Sequence, residues 1–122
     1  MESQTDPSLT GLFHAIFFQI AGIAVALVAN SANFAFILFA DTSGHEIALC
    51  VPILATALFT IVWGDATLQS QIANIKDAAV ETKNSHAYKY IATQPYSLLR
   101  LMNLLLAVAL AASQLSILFG GS

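Results

Sequence analysis

Three long tracts without a charged side chain constrain this chain more than any other feature of it. The charged positions are Glu2, Asp6, Asp41, Glu46, Asp65, Lys76, Asp77, Glu81, Lys83, Lys89 and Arg100, which leaves residues 9–40, 47–64 and 101–119 uncharged. A soluble domain of this size carries charge on about a quarter of its residues; here the share is 9%, beside 57% hydrophobic residues and a mean hydropathy of +0.75. The solvent that fits such a surface is lipid. Inside a bilayer the backbone must satisfy its own hydrogen bonds, so each apolar tract is expected to be helical. The same composition argues against disorder, and one cysteine cannot staple a disulfide scaffold. Four Lys and Arg against seven Asp and Glu give a net charge of -3, which offers no basic face to nucleic acid.

The second tract makes about 27 Å of helix at 1.5 Å per residue, close to a hydrocarbon thickness of about 30 Å. The third fits equally well, with Gly120, Gly121 and Ser122 expected at the far interface. The first is too long for one upright span, at about 48 Å. The favoured reading is one span over about 16–40, preceded by a turn or two lying partly in the interface with Phe13, Phe17 and Phe18 toward lipid. The competing reading splits the tract at Asn30-Ser31-Ala32-Asn33, against which the lack of Gly or Pro there counts. Residues 1–10 carry Glu2 and Asp6 and no basic residue, unlike a secretory leader, so the first span is expected in the mature protein.

The expected fold is therefore an all-α integral membrane bundle, one domain over 1–122, with spans at about 16–40, 47–64 and 97–119. All four basic residues fall between the second and third spans, which predicts a cytoplasmic 65–100 segment, a cytoplasmic N-terminus and an outside C-terminus. Trp63, Tyr88, Tyr90 and Tyr96 would form an aromatic belt at that interface, with Arg100 snorkelling to the headgroups.

Helices in lipid associate through small residues and interhelical hydrogen bonds, because apolar side chains gain nothing by leaving lipid for one another. Small and polar residues recur at helical spacing in each span: Ala15, Gln19, Gly22, Ala26, Asn30 and Asn33 in the first; Ala48, Pro52, Thr56, Thr60 and Gly64 in the second; Arg100, Asn103, Ala107, Ala111 and Gln114 in the third. Packing faces are the favoured reading of these stripes; walls of a polar path are the other. No acidic residue or lysine sits mid-span, so a proton relay lacks its usual parts. Pro52 reads as a first-turn proline.

Beyond Gly64 the chain turns polar without a Gly or Pro before Pro95. Leu68, Ile72, Ile75 and Ala79 repeat at helical spacing, so residues 65–83, within a cytoplasmic amphipathic segment of 65–90, read as a helix continuing from the second span. Its polar face would carry Gln69, Gln71, Lys76, Asp77 and Lys83.

No catalytic or metal-binding motif is present, and Cys50 has no base near it in sequence. The expected function is that of a non-enzymatic structural or accessory subunit, its partners being the bilayer, other membrane subunits or copies of itself. One alternative is a homo-oligomeric pore or holin-like channel. The other is a membrane anchor bearing haem or a chlorophyll-type pigment on His14 and His86, the third histidine, His45, reading as a solvated loop residue.

Overall fold

The computed structural model describes residues 7–120; Glu2 and Asp6, and Gly121 and Ser122, lie outside them. The fold is all-α. Helix α1 is Pro7–Phe39, α2 is Glu46–Lys76, α3 is Val80–Lys83, α4 is His86–Ala92 and α5 is Tyr96–Gly120, with no strand among the described residues. The three long helices, α1, α2 and α5, are each long and apolar enough to cross a membrane.

The first uncharged tract is one uninterrupted helix, about 50 Å long at 1.5 Å per residue. No break occurs at 30–33, where Asn30 turns its Nδ2 back to the carbonyl of Ala26 (2.9 Å) within the helix. Nor do the first turns peel away into a separate interfacial segment. They follow α2 to its end, with Leu12 and Ala15 buried at 1% and 4% exposure.

A tight turn joins α1 to α2. The Ser43 amide donates to Asp41 Oδ1 (3.0 Å), and Gly44 takes φ +82°, a conformation that favours glycine. The Ser43 amide and hydroxyl, with His45 nearby, hold the Asp41 carboxyl below its ordinary value. Glu46 in the first turn of α2 and Lys76 in the last both complement the helix dipole.

Two expectations about α2 are corrected. Pro52 lies inside the helix, nearly two turns past Glu46, and not in its first turn. The amphipathic helix stops at Lys76, short of residue 83. Asp77 caps it with φ -91° and ψ 0°, Ala78 is buried, and Ala79 turns extended at φ -67° and ψ 157°. The Tyr88 hydroxyl donates to the Ile75 carbonyl (3.0 Å), occupying an acceptor that a continuing helix would have used.

Helix α2 runs antiparallel to both α1 and α5 and packs along each of them, while α1 and α5 meet over a shorter stretch. At the end near the 40–45 turn, Ile37, Ile53 and Leu118 form a small core that joins all three helices, with Phe34, Leu49 and Ala111 around it. Away from these seams the surface is apolar: Leu27, Val28, Val51, Leu58 and Leu106 are each more than half exposed. That is the surface a lipid-solvated bundle presents.

The charges mark two levels. Glu46 to Asp65 along α2 measures about 28 Å, and Arg100 to Gly120 along α5 about 30 Å, with Asp65 and Arg100 ion-paired at one level. Between these levels the described helices carry no charged residue. The first turns of α1 and the last of α2, about 16 Å of the latter, project past the ion-pair level as an antiparallel helix pair beside α3 and α4.

Candidate functional site

Most amide side chains of the three long helices lie in the seams between them, in three groups at different depths. The first joins all three helices. Gln114 on α5 is fully buried and donates through Nε2 to Asn30 Oδ1 (2.8 Å), while its Oε1 accepts from Asn33 Nδ2 (3.4 Å). The same Asn33 amide donates to Thr56 Oγ1 on α2 (3.3 Å), and the Thr56 hydroxyl donates to the Pro52 carbonyl (2.7 Å). Both ends of the Gln114 and Asn30 amides are thus engaged within the bundle, and the Asn33 Nδ2 reaches both neighbouring helices.

The second group lies between α2 and α5. Asn103 Nδ2 donates to the Thr60 carbonyl (3.1 Å), and its side chain lies flat against Gly64, where a Cβ would collide with the amide. The Thr60 hydroxyl returns to the Thr56 carbonyl (2.8 Å). Ala107 is buried at 2% one turn farther along α5.

Between α1 and α2 lies the third group. Gln71 Nε2 donates to Gln19 Oε1, and Gln71 is 4% exposed. The expectation that Gln71 sits on the outward polar face is therefore corrected: it faces α1 within the seam. Gly22 is buried under the Trp63 indole, whose Nε1 donates to the Phe18 carbonyl (2.7 Å). Phe59 stacks on Trp63 with ring centres 5.4 Å apart, and Phe18 meets it edge-on at 6.2 Å.

The residues singled out from sequence therefore fall as follows. Gln19, Gly22, Ala26, Asn30, Asn33, Thr56, Thr60, Gly64, Asn103, Ala107, Ala111 and Gln114 are all buried or half-buried, and most touch a partner helix. Ala48 and Pro52 of the second stripe are exposed. Of the aromatic anchors, Trp63 and Tyr88 hold helices or turns together, and Tyr96 donates its hydroxyl to the Ile91 carbonyl (3.0 Å). Tyr90 is 71% exposed. His14 lines a shallow groove on α1 with Phe13 and Phe17, whereas His86 opens α4 and does not line it; both are exposed. Among the described residues no cluster of three His, Cys, Asp or Glu could hold a metal ion.

Two links have no obvious signature along the sequence. Gln19 and Gln71 meet because nearly equal steps along antiparallel α1 and α2 from the Asn33–Thr56 contact, 14 and 15 residues, bring them level. Arg100 Nε and Nη2 donate to the two Asp65 oxygens, Nη2 at 3.3 Å, and Gln69 Nε2 also donates to Oδ2. The pair sits beside an open groove of about 670 Å³ between α2 and α5. No family model, curated protein or solved structure matches this chain.

Proposed function

We propose that this chain is a non-enzymatic membrane protein that serves as a structural or accessory subunit of a larger membrane assembly. The observation that supports this reading is the closure of its amides on one another. Gln114 is fully buried with both ends of its amide bonded, and among the described residues every buried side-chain nitrogen and oxygen has a partner. A wall lining water would turn such groups outward. Here they tie three helices into a bundle whose outer face is apolar and suited to lipid or to other transmembrane helices. In this reading the helix ends beyond the ion-pair level, with α3 and α4, are cytoplasmic, following the position of the basic residues.

Extraction in mild detergent followed by native mass spectrometry, with identification of every co-purifying polypeptide, tests the proposal. A particle containing other subunits is the expected result. A homogeneous homo-oligomer that conducts ions after reconstitution would replace this reading with the pore. An extractable pigment with a visible absorption band would replace it with the cofactor anchor on His14 or His86.

A further inference from the structure

The groove between α2 and α5 has a polarity gradient along its length. At its mouth are Gln69 and Ser97, at mid-height the Asp65–Arg100 pair, and below it Ile61, Val62, Leu101 and Leu104 on the side of the uncharged slab. The pair is not closed off. Its side chains are 31% and 43% exposed, for Asp65 and Arg100 respectively. A guanidinium has five N–H donors, and Asp65 takes one from Nε and one from Nη2, which leaves three on a side chain that lines the groove. On the acidic side, Oδ1 accepts from Arg100 alone, and the Gln69 carbonyl oxygen is free beside the carboxylate, because Gln69 bonds it through Nε2.

We propose that this groove binds a phospholipid whose headgroup carries both a phosphate and a primary ammonium, a lipid of the phosphatidylethanolamine class. The phosphate meets the remaining guanidinium donors of Arg100 and the Ser97 hydroxyl. The ammonium donates to the open side of the Asp65 carboxylate and to Gln69 Oε1, and an acyl chain descends along Ile61, Val62, Leu101 and Leu104. Complementarity of charge selects the class. The groove offers one cation and one anion side by side, so an anionic glycerol headgroup would have to share Arg100 with Asp65 and bring no cation of its own to the carboxylate. A choline headgroup carries the cation but has no N–H to donate. The inference rests on the reading that the chain crosses a bilayer with Asp65 and Arg100 at one interface, and not on the identity of any partner subunit.

The test uses the purified full chain in an equimolar mixture of phosphatidylethanolamine, phosphatidylcholine and phosphatidylglycerol with matched acyl chains, reading retained lipid by native mass spectrometry. Wild type should retain the ethanolamine lipid roughly three- to tenfold above either competitor, the range expected of partly exposed charge-assisted contacts. Asp65→Asn should invert the order toward phosphatidylglycerol, because Arg100 then stands as a lone cation, whereas Leu58→Ala on another exposed face should leave it unchanged. Equal retention of the three lipids by wild type, or a wild-type preference for phosphatidylglycerol, would overturn the assignment without any variant. So would an ethanolamine preference that persists in Asp65→Asn. Resistance of the chain to alkaline extraction from vesicles of the same mixture separates loss of this site from loss of membrane insertion, and co-purifying polypeptides do not enter the readout.

Discussion

Gln114 brings one amide to α1 from α5 and meets two there, Asn30 and Asn33. Replacing it with leucine keeps most of the volume but leaves the Asn30 oxygen and one Asn33 N–H without their partner in a dry seam. The expected loss is about 1–2 kcal/mol, with a coupling of about 0.6–1.7 kcal/mol between Gln114→Leu and Asn30→Leu. Unfolding in mixed micelles, followed by the fluorescence of Trp63, the single tryptophan, measures this. A coupling within about 0.3 kcal/mol of zero would mean that the geometry carries no interaction. Gly22 makes a steric prediction of a different kind, since a Cβ there would run into the Trp63 indole. Gly22→Ala should destabilise by about 1–3 kcal/mol and shift the Trp63 emission, while Phe36→Leu on the exposed face should stay within about 0.5 kcal/mol of wild type. Equal tolerance at both positions would refute the notch. These residues were legible in sequence because amides and glycines at three- and four-residue spacing have few other uses in lipid. Gln71 was not: its neighbours are polar and its own helix looks amphipathic, so only the register against α1 reveals that it is covered.

At the scale of elements, helix existence was legible and helix ends were not. The uncharged tracts announce α1, α2 and α5 because a backbone in hydrocarbon has no other partner than itself. The end of α2 has no such announcement. No Gly or Pro lies between Gly64 and Pro95, and the periodicity of Leu68, Ile72 and Ile75 runs on smoothly into Ala79, yet the helix stops at Lys76. A contact from elsewhere in the chain meets it there: the Tyr88 hydroxyl joins the Ala78 amide on the Ile75 carbonyl, and Ala78 is buried. Tyr88→Phe should therefore leave the span intact and loosen its last turn. Amides around 75–79 should exchange with deuterium about tenfold faster, the equivalent of one lost hydrogen bond of about 1.4 kcal/mol. Unchanged exchange there would place the stop in the local backbone. Pro52 gives the opposite lesson: its position shows the missing N–H lying well inside α2, opposite an exposed Ala48. Pro52→Ala restores that bond and should raise stability by about 1 kcal/mol. A loss instead would show that the proline shapes the seating of Ile53, 2% exposed, against Ile37 and Leu118.

For the molecule as a whole, the long helices are tied through α2. Because α2 runs antiparallel to α1 and α5 and packs along both, the side on which one end of α2 emerges fixes the sides of all three. The 40–45 turn and the 77–95 segment flank α2 at its two ends, and exposed positions are available in each: Ser43 and Asn84. The basic residues cluster with the second of these, so that segment should face the cytoplasm. In a background with Cys50, the single native cysteine, replaced by alanine, Ser43→Cys should react with a membrane-impermeant maleimide in intact right-side-out vesicles. Asn84→Cys should react only after permeabilisation. The reverse pattern would invert the orientation while keeping the spans, since the two sites would still lie on opposite sides. Reaction of both from one side would mean that α2 does not cross. It would take α1 and α5 with it, because their amides are bonded to one another and to α2 in the seams, and would leave the apolar outer faces needing a cover other than lipid.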